Sequence, residues 1–126
     1  MKALQIVETA YRATLEEQDD TVLWLTHSMK GAGADLAVLL RGNAVNYVVR
    51  GQDASGLRFG QEAQTRPPRI PDDVASLLAK GVPVFVVRED FEERGLDEKD
   101  AIEGVQFVAR RELPELFERF DRVWHW

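Results

Sequence analysis

An α/β domain built on a mainly parallel sheet is predicted by three observations. Short β-branched apolar runs recur along the chain, of which Gly81-Val82-Pro83-Val84-Phe85-Val86-Val87 is the clearest. Segments with helical spacing alternate with these runs. The clearest run breaks directly into Arg88-Glu89-Asp90 and closes on Arg94-Gly95. A strand buried on both faces ends in this way when it delivers polar groups to the rim of a sheet, where such domains place their sites.

The elements follow in order. The first strand is read over Ala3 to Val7 and the second over Asp35 to Leu40. Between them Val22, Leu25, Thr26 and Met29 fall at i, i+3, i+4 and i+7, with Asp19 or Asp20 as N-cap and Gly31 as the stop, which completes a β-α-β unit. Asn43 to Val49 reads as a short helix after Gly42, and Asp72 to Lys80 as a longer one capped by Asp72 and stopped by Gly81. The third strand is Val82 to Val87 and the fourth Val105 to Ala109, with a short helix at Phe91 to Arg94 between them. Leu113 to Phe120 forms the last helix, with Pro114 in its permissive first turn. The tail Arg122-Val123-Trp124-His125-Trp126 alternates like a strand and is expected to add a short fifth one at an edge, its tryptophans packed on the core or on a second subunit. Right-handed crossovers then give a flavodoxin-like three-layer α/β/α sandwich with a sheet of four to five strands. The whole of 1–126 is one domain, interrupted by a long Gly- and Pro-rich segment at about 50–71 that reads as a lid or an oligomer arm.

Composition narrows the function. The 126 residues are 44% hydrophobic and 30% charged, as in an ordinary globular domain of one core, with no apolar run long enough to span a bilayer. No signal-peptide pattern opens the sequence, so a cytoplasmic location is expected. The absence of cysteine excludes a disulfide framework, a thiolate zinc site and covalent sulfur chemistry carried by this chain. A net charge of −6 argues against a broad nucleic-acid-binding face.

Polar residues just past parallel strands converge on one edge. Those singled out are Thr9 and Arg12 after the first strand, Arg41, Asn43, Asn46 and Tyr47 after the second, and Arg88, Glu89 and Asp90 after the third. Glu8, Arg110 and Arg111 lie at the same rim. Arginines outnumber acids among them, and guanidinium groups pair with carboxylate, phosphate or sulfonate, so a small anionic or sulfur-containing ligand is one reading of this edge. Pairing of Arg88 with a neighbouring acid, with the other arginines solvated, is the other. Glu89 or Asp90 acting as a base is a further possibility. No metal or cofactor is called for. His27 and His125 are isolated in sequence and read as structural. The loop Thr9 to Thr14 lacks the central Thr and the Gly of a flavin-phosphate cradle. Gly31-Ala32-Gly33 follows a helix instead of a strand, the reverse of a dinucleotide fingerprint. A phosphoacceptor receiver is excluded because Glu8 stands alone beside Thr9.

Four segments together carry a resemblance. They are Val82-Pro83-Val84-Phe85-Val86-Val87, Arg94-Gly95-Leu96, Ile102-Glu103-Gly104-Val105, and Gly42-Asn43-Ala44-Val45. In their order and spacing the chain resembles, over nearly its whole length, the DsrE/DsrF-like family of small sulfur-relay proteins, which includes the TusD-type subunits. In sulfur-carrying members a cysteine about seven residues before the Arg of Arg-Gly holds a persulfide. Counting back from Arg94 reaches Val87, which has no nucleophile. The resemblance therefore implies a DsrE-like fold, a member without the active cysteine, and a trimer, a hexamer or a hetero-oligomer with related subunits. It implies no covalent transfer by this chain. A non-catalytic scaffold or partner subunit in sulfur metabolism is the expected function.

Overall fold

The computed structural model describes residues 1–11 and 20–126. Five strands form one parallel sheet: β1 (Lys2–Val7), β2 (Asp35–Leu40), β5 (Val84–Val87), β6 (Gln106–Val108) and β7 (Arg122–His125), in the spatial order β6-β5-β2-β1-β7. Two further strands, β3 (Arg58–Phe59) and β4 (Glu62–Ala63), make a small antiparallel hairpin within the long 50–71 segment. Four α-helices join these strands: α1 (Thr21–Gly31), α2 (Ile70–Ala79), α3 (Arg88–Glu93) and α4 (Leu113–Glu118).

Chain order explains which layer each helix joins. From β1 the chain steps to β2, β5 and β6 in one direction, so right-handed crossovers place the intervening helices on the same face. On that face Val7, Val38, Leu40, Val84 and Val86 form one core with Leu23 of α1, Leu77 of α2, Phe91 of α3 and the turn around Tyr47. The return from β6 runs the other way, past β1 to β7, and its helix α4 falls on the opposite face. There Leu113 and Leu116 close a smaller core over Leu4, Ile6, Leu39, Phe85 and Val87. Every side chain of β5 is buried, as its unbroken Val-Phe-Val-Val run requires of a strand covered on both sides.

The boundaries move in ways that matter for the rim. α3 begins at Arg88, three residues before the expected Phe91. Arg88, Glu89 and Asp90 thus form the first turn of a helix instead of a loop, where the two acids favourably meet the positive end of the helix dipole. The segment after β2 is a 3-10 helix over Gly42–Val48, with Arg41 at its cap position. α2 starts at Ile70, using Pro71 in its first turn, so Asp72 lies inside the helix and Arg69 at its cap. The third and fourth strands are shorter than read, because Pro83 lacks an N–H and Gly104 turns with φ 98° before β6. Of the two proposed caps for α1, Asp20 fills the role, its Oδ1 accepting from the Val22 and Leu23 amides at 2.9 and 3.1 Å. Asp19 lies outside the described residues. No described helix is long and apolar enough to cross a membrane.

Candidate functional site

The carboxyl ends of β2, β1 and β7 lie side by side at the rim of the parallel sheet, the edge where such domains place polar groups. Three polar side chains meet there. Glu8 follows β1, Arg41 follows β2 and His125 ends β7. His125 Nε2 lies 2.6 Å from Glu8 Oε2 and 3.3 Å from an Arg41 terminal nitrogen. One ring nitrogen cannot donate to the carboxylate and accept from the guanidinium at once, and the shorter contact assigns Nε2–H to Glu8. Arg41 Nε, shielded from solvent, sits 3.6 Å from Glu8 Oε1, inside ion-pair range but beyond a hydrogen bond.

Gly42 allows the β2 exit to pass this close to β1. Its φ is 57°, and a Cβ there would stand 3.1 Å from Glu8 Cγ and 3.3 Å from the Glu8 carbonyl oxygen. The turn is then fastened to α3. Gly42 N–H donates to Asp90 Oδ2 at 2.8 Å, Arg94 Nε donates to Asn43 Oδ1 at 3.0 Å, and an Arg94 terminal nitrogen donates to the Asp90 carbonyl at 2.9 Å. From the other side Arg110 donates to Asp90 Oδ1 at 2.5 Å through its side chain and to both Glu89 oxygens through its amide. Burial alone raises the Asp90 carboxyl pKa, but the Gly42 amide and the Arg110 guanidinium outweigh it and hold the group below its ordinary 3.8.

A depressed folded-state pKa contributes stability above the unfolded value, which is lost as pH falls through the folded one. Asp90→Asn is therefore expected to cost about 1–2 kcal/mol at neutral pH, a charge-assisted network of this kind being worth somewhat more than a neutral hydrogen bond. In urea unfolding the difference from wild type should shrink as pH drops below 3.8. A constant difference across that range would show that the Asp90 charge contributes nothing.

The sequence-predicted residues are thus distributed unevenly. Asn43 and Asp90 join one network together with Glu89, and Arg41 belongs to the cluster with Glu8 and His125. Arg88 turns toward the β6 edge instead, donating to Glu98 at 2.7 Å and lying 6.0 Å from the Phe107 ring centre. Asn46 bonds back to the Asn43 carbonyl. Tyr47 is fully buried away from the rim, its hydroxyl donating to Asp20 at 2.6 Å and accepting from the Tyr11 amide at 2.8 Å. Thr9 is exposed on the loop after β1, and Arg12 lies outside the described residues. Each described rim arginine in these networks already faces an acid or an amide oxygen, so an incoming anion has to displace an internal partner. Glu89 and Asp90 likewise already accept from donors at this edge.

Sequence reasoning assigned His125 a structural role and placed Glu8 at the rim without joining the two. The two are 117 positions apart, and only the placement of β7 beside β1 brings them together. Beside them a groove of about 470 Å³ runs along β7, lined by Leu25, Met29 and Val123 to Trp126.

No family model and no curated protein matches this sequence. Solved structures do match its shape. The ychN protein of E. coli superposes with a TM-score of 0.74 at 22% identity, covering 99% of this chain and 98% of its own. MTH1491 of Methanobacterium thermoautotrophicum, a protein of unknown function, superposes with a TM-score of 0.62 at 16% identity, covering 96% of each chain. At such identities the likeness speaks to architecture, and the architecture of this chain is a flavodoxin-like α/β/α sandwich shared with both structures.

Proposed function

We propose that this chain works by association, as a non-catalytic DsrE-like subunit that serves as scaffold or partner in a cytoplasmic assembly handling sulfur. One observation carries the reading. Val87, at the place where sulfur-carrying members of the resembled family hold their persulfide, is 1% exposed and belongs to the core closed by Leu113 and Leu116. A sealed alkyl group replaces the reactive atom, while the polar groups of the rim are spent on one another. Exposed aromatic surface supports the same reading: Trp24, Phe59 and Trp126 all face solvent on a chain of this size.

The test is affinity purification of the chain from its own cells, followed by an assay of persulfide transfer among the recovered proteins. A thiol-bearing sulfur-handling partner should copurify, and transfer should be faster with the chain than without it. Recovery of no such partner, or transfer indifferent to the chain, would remove the proposal.

A further inference from the structure

We propose that two copies of this chain pair through the outer edge of β7, antiparallel and about a twofold axis, to form one continuous ten-stranded sheet. This rests on the associating role proposed above and names the face that performs it. β7 pairs with β1 on one side, and among the described residues no strand occupies the other. The Trp126 amide donates to the Ile6 carbonyl at 3.1 Å. Main-chain groups alternate along a strand, so those of Arg122 and Trp124 also turn toward β1, and those of Val123 and His125 face outward. Exposed edges are commonly blunted by proline or charged side chains; Arg122–His125 carries no proline, and its one arginine lies at its first residue.

The side chains around this edge suit a second copy of the same surface. Antiparallel pairing joins outward-facing residues, and the register centred on Trp124 sets Val123 opposite His125 of the partner subunit. The same register sets Trp124 beside Trp124 of the partner subunit and Arg122 beside Trp126 of the partner subunit. The first is an aromatic cross-strand pair and the second a cation over an indole. Val123 is 40% exposed and Trp126 46%, apolar surface that this pairing covers. A twofold axis normal to the sheet keeps both copies of α1 on one side, flanking the join. Leu25 and Met29 of α1 face that join across the 470 Å³ groove, whereas His27 on the opposite flank already contacts the Asp73 carbonyl of α2 at 3.2 Å. Such an isologous contact closes a dimer, or supplies the twofold of a dihedral hexamer, but does not occur in a plain trimer.

The experiment is sedimentation analysis over a range of concentrations, with amide hydrogen exchange on the same samples. Wild type should sediment as a dimer or a multiple of it, and its Val123 and His125 amides should exchange about a hundredfold more slowly than in dilute monomer. Val123→Pro removes an outward N–H and no bond to β1, and should weaken association about tenfold or more. Val123→Lys, which keeps the N–H and charges the edge, should act in the same direction. If Val123→Pro fails to fold, the lysine variant and the wild-type exchange decide the matter. Assembly that survives these substitutions, with both amides exchanging freely, would overturn this face while leaving the associating role intact. A wild type that stays monomeric alone overturns the pairing, and the purification experiment separately decides the role.

Discussion

Asp20→Ala is expected to destabilise the fold by about 3 kcal/mol, the combined loss of an N-cap and of the acceptor for a buried phenol. Asp20 is 2% exposed, and both its oxygens are used. Oδ1 caps α1 through the Val22 and Leu23 amides, and Oδ2 accepts from Tyr47 at 2.6 Å. Alanine removes the acceptor of two amides and of a buried hydroxyl. Tyr47→Phe should cost less, because it strands Oδ2 and the Tyr11 amide but spares the cap. In the double variant the two losses should add to less than their sum, since they share one bond. Burial first, and the Asp20 carboxylate second, raise the Tyr47 phenol pKa well above its ordinary 10.0. The folded state therefore holds that proton more tightly than the unfolded chain does, and stability should decline as pH climbs past 10.0, a decline that Tyr47→Phe reduces. Denaturant unfolding of the four proteins settles it. An Asp20→Ala loss within about 0.5 kcal/mol, the range of ordinary surface changes, would count against the bridge.

That bridge also shows where sequence reading reached its limit. Helical spacing and an acidic residue ahead of Val22 were enough to place α1 and to offer Asp20 as a cap, because capping is a local interaction. Tyr47 was assigned to the rim on proximity to β2, yet its ring turns into the core, where Asp20 lies 27 positions away. The strand runs were legible for a similar reason: burial on both faces writes itself into composition, as in Val84–Val87. The rim was legible only as a list. Which arginine meets which acid depends on strand order, and the return of the chain to β7 beyond β1 leaves no local signature at His125 or Glu8. The start of α3 was missed because Arg88, Glu89 and Asp90 read as a polar loop, although two acids in a first turn are a helix-start signal.

Val87→Cys should fold, carry a thiol at the position expected of a sulfur carrier, and still react with an aromatic disulfide about a thousandfold more slowly than an exposed thiol. The substitution changes volume little, so its cost to stability should stay near 1 kcal/mol. Reactivity is another matter. Thiolate is the attacking species, and an apolar shell raises the energy of that anion while blocking approach. Val87 pairs with Val108 across the sheet and shares its core with Phe85, Leu113 and Leu116. Reaction then has to wait for local opening near β5, in which α4 lifts from the sheet. The rate should rise steeply in urea below the unfolding midpoint and should respond to Leu116→Ala, which loosens α4. If the cysteine instead reacts at the rate of a free thiol in water, position 87 is open to reagents, and one substitution separates this chain from a sulfur carrier. If it is slow, the loss of the thiol is accompanied by closure of the surrounding core, and the non-catalytic role is built into the packing as well as into the missing atom.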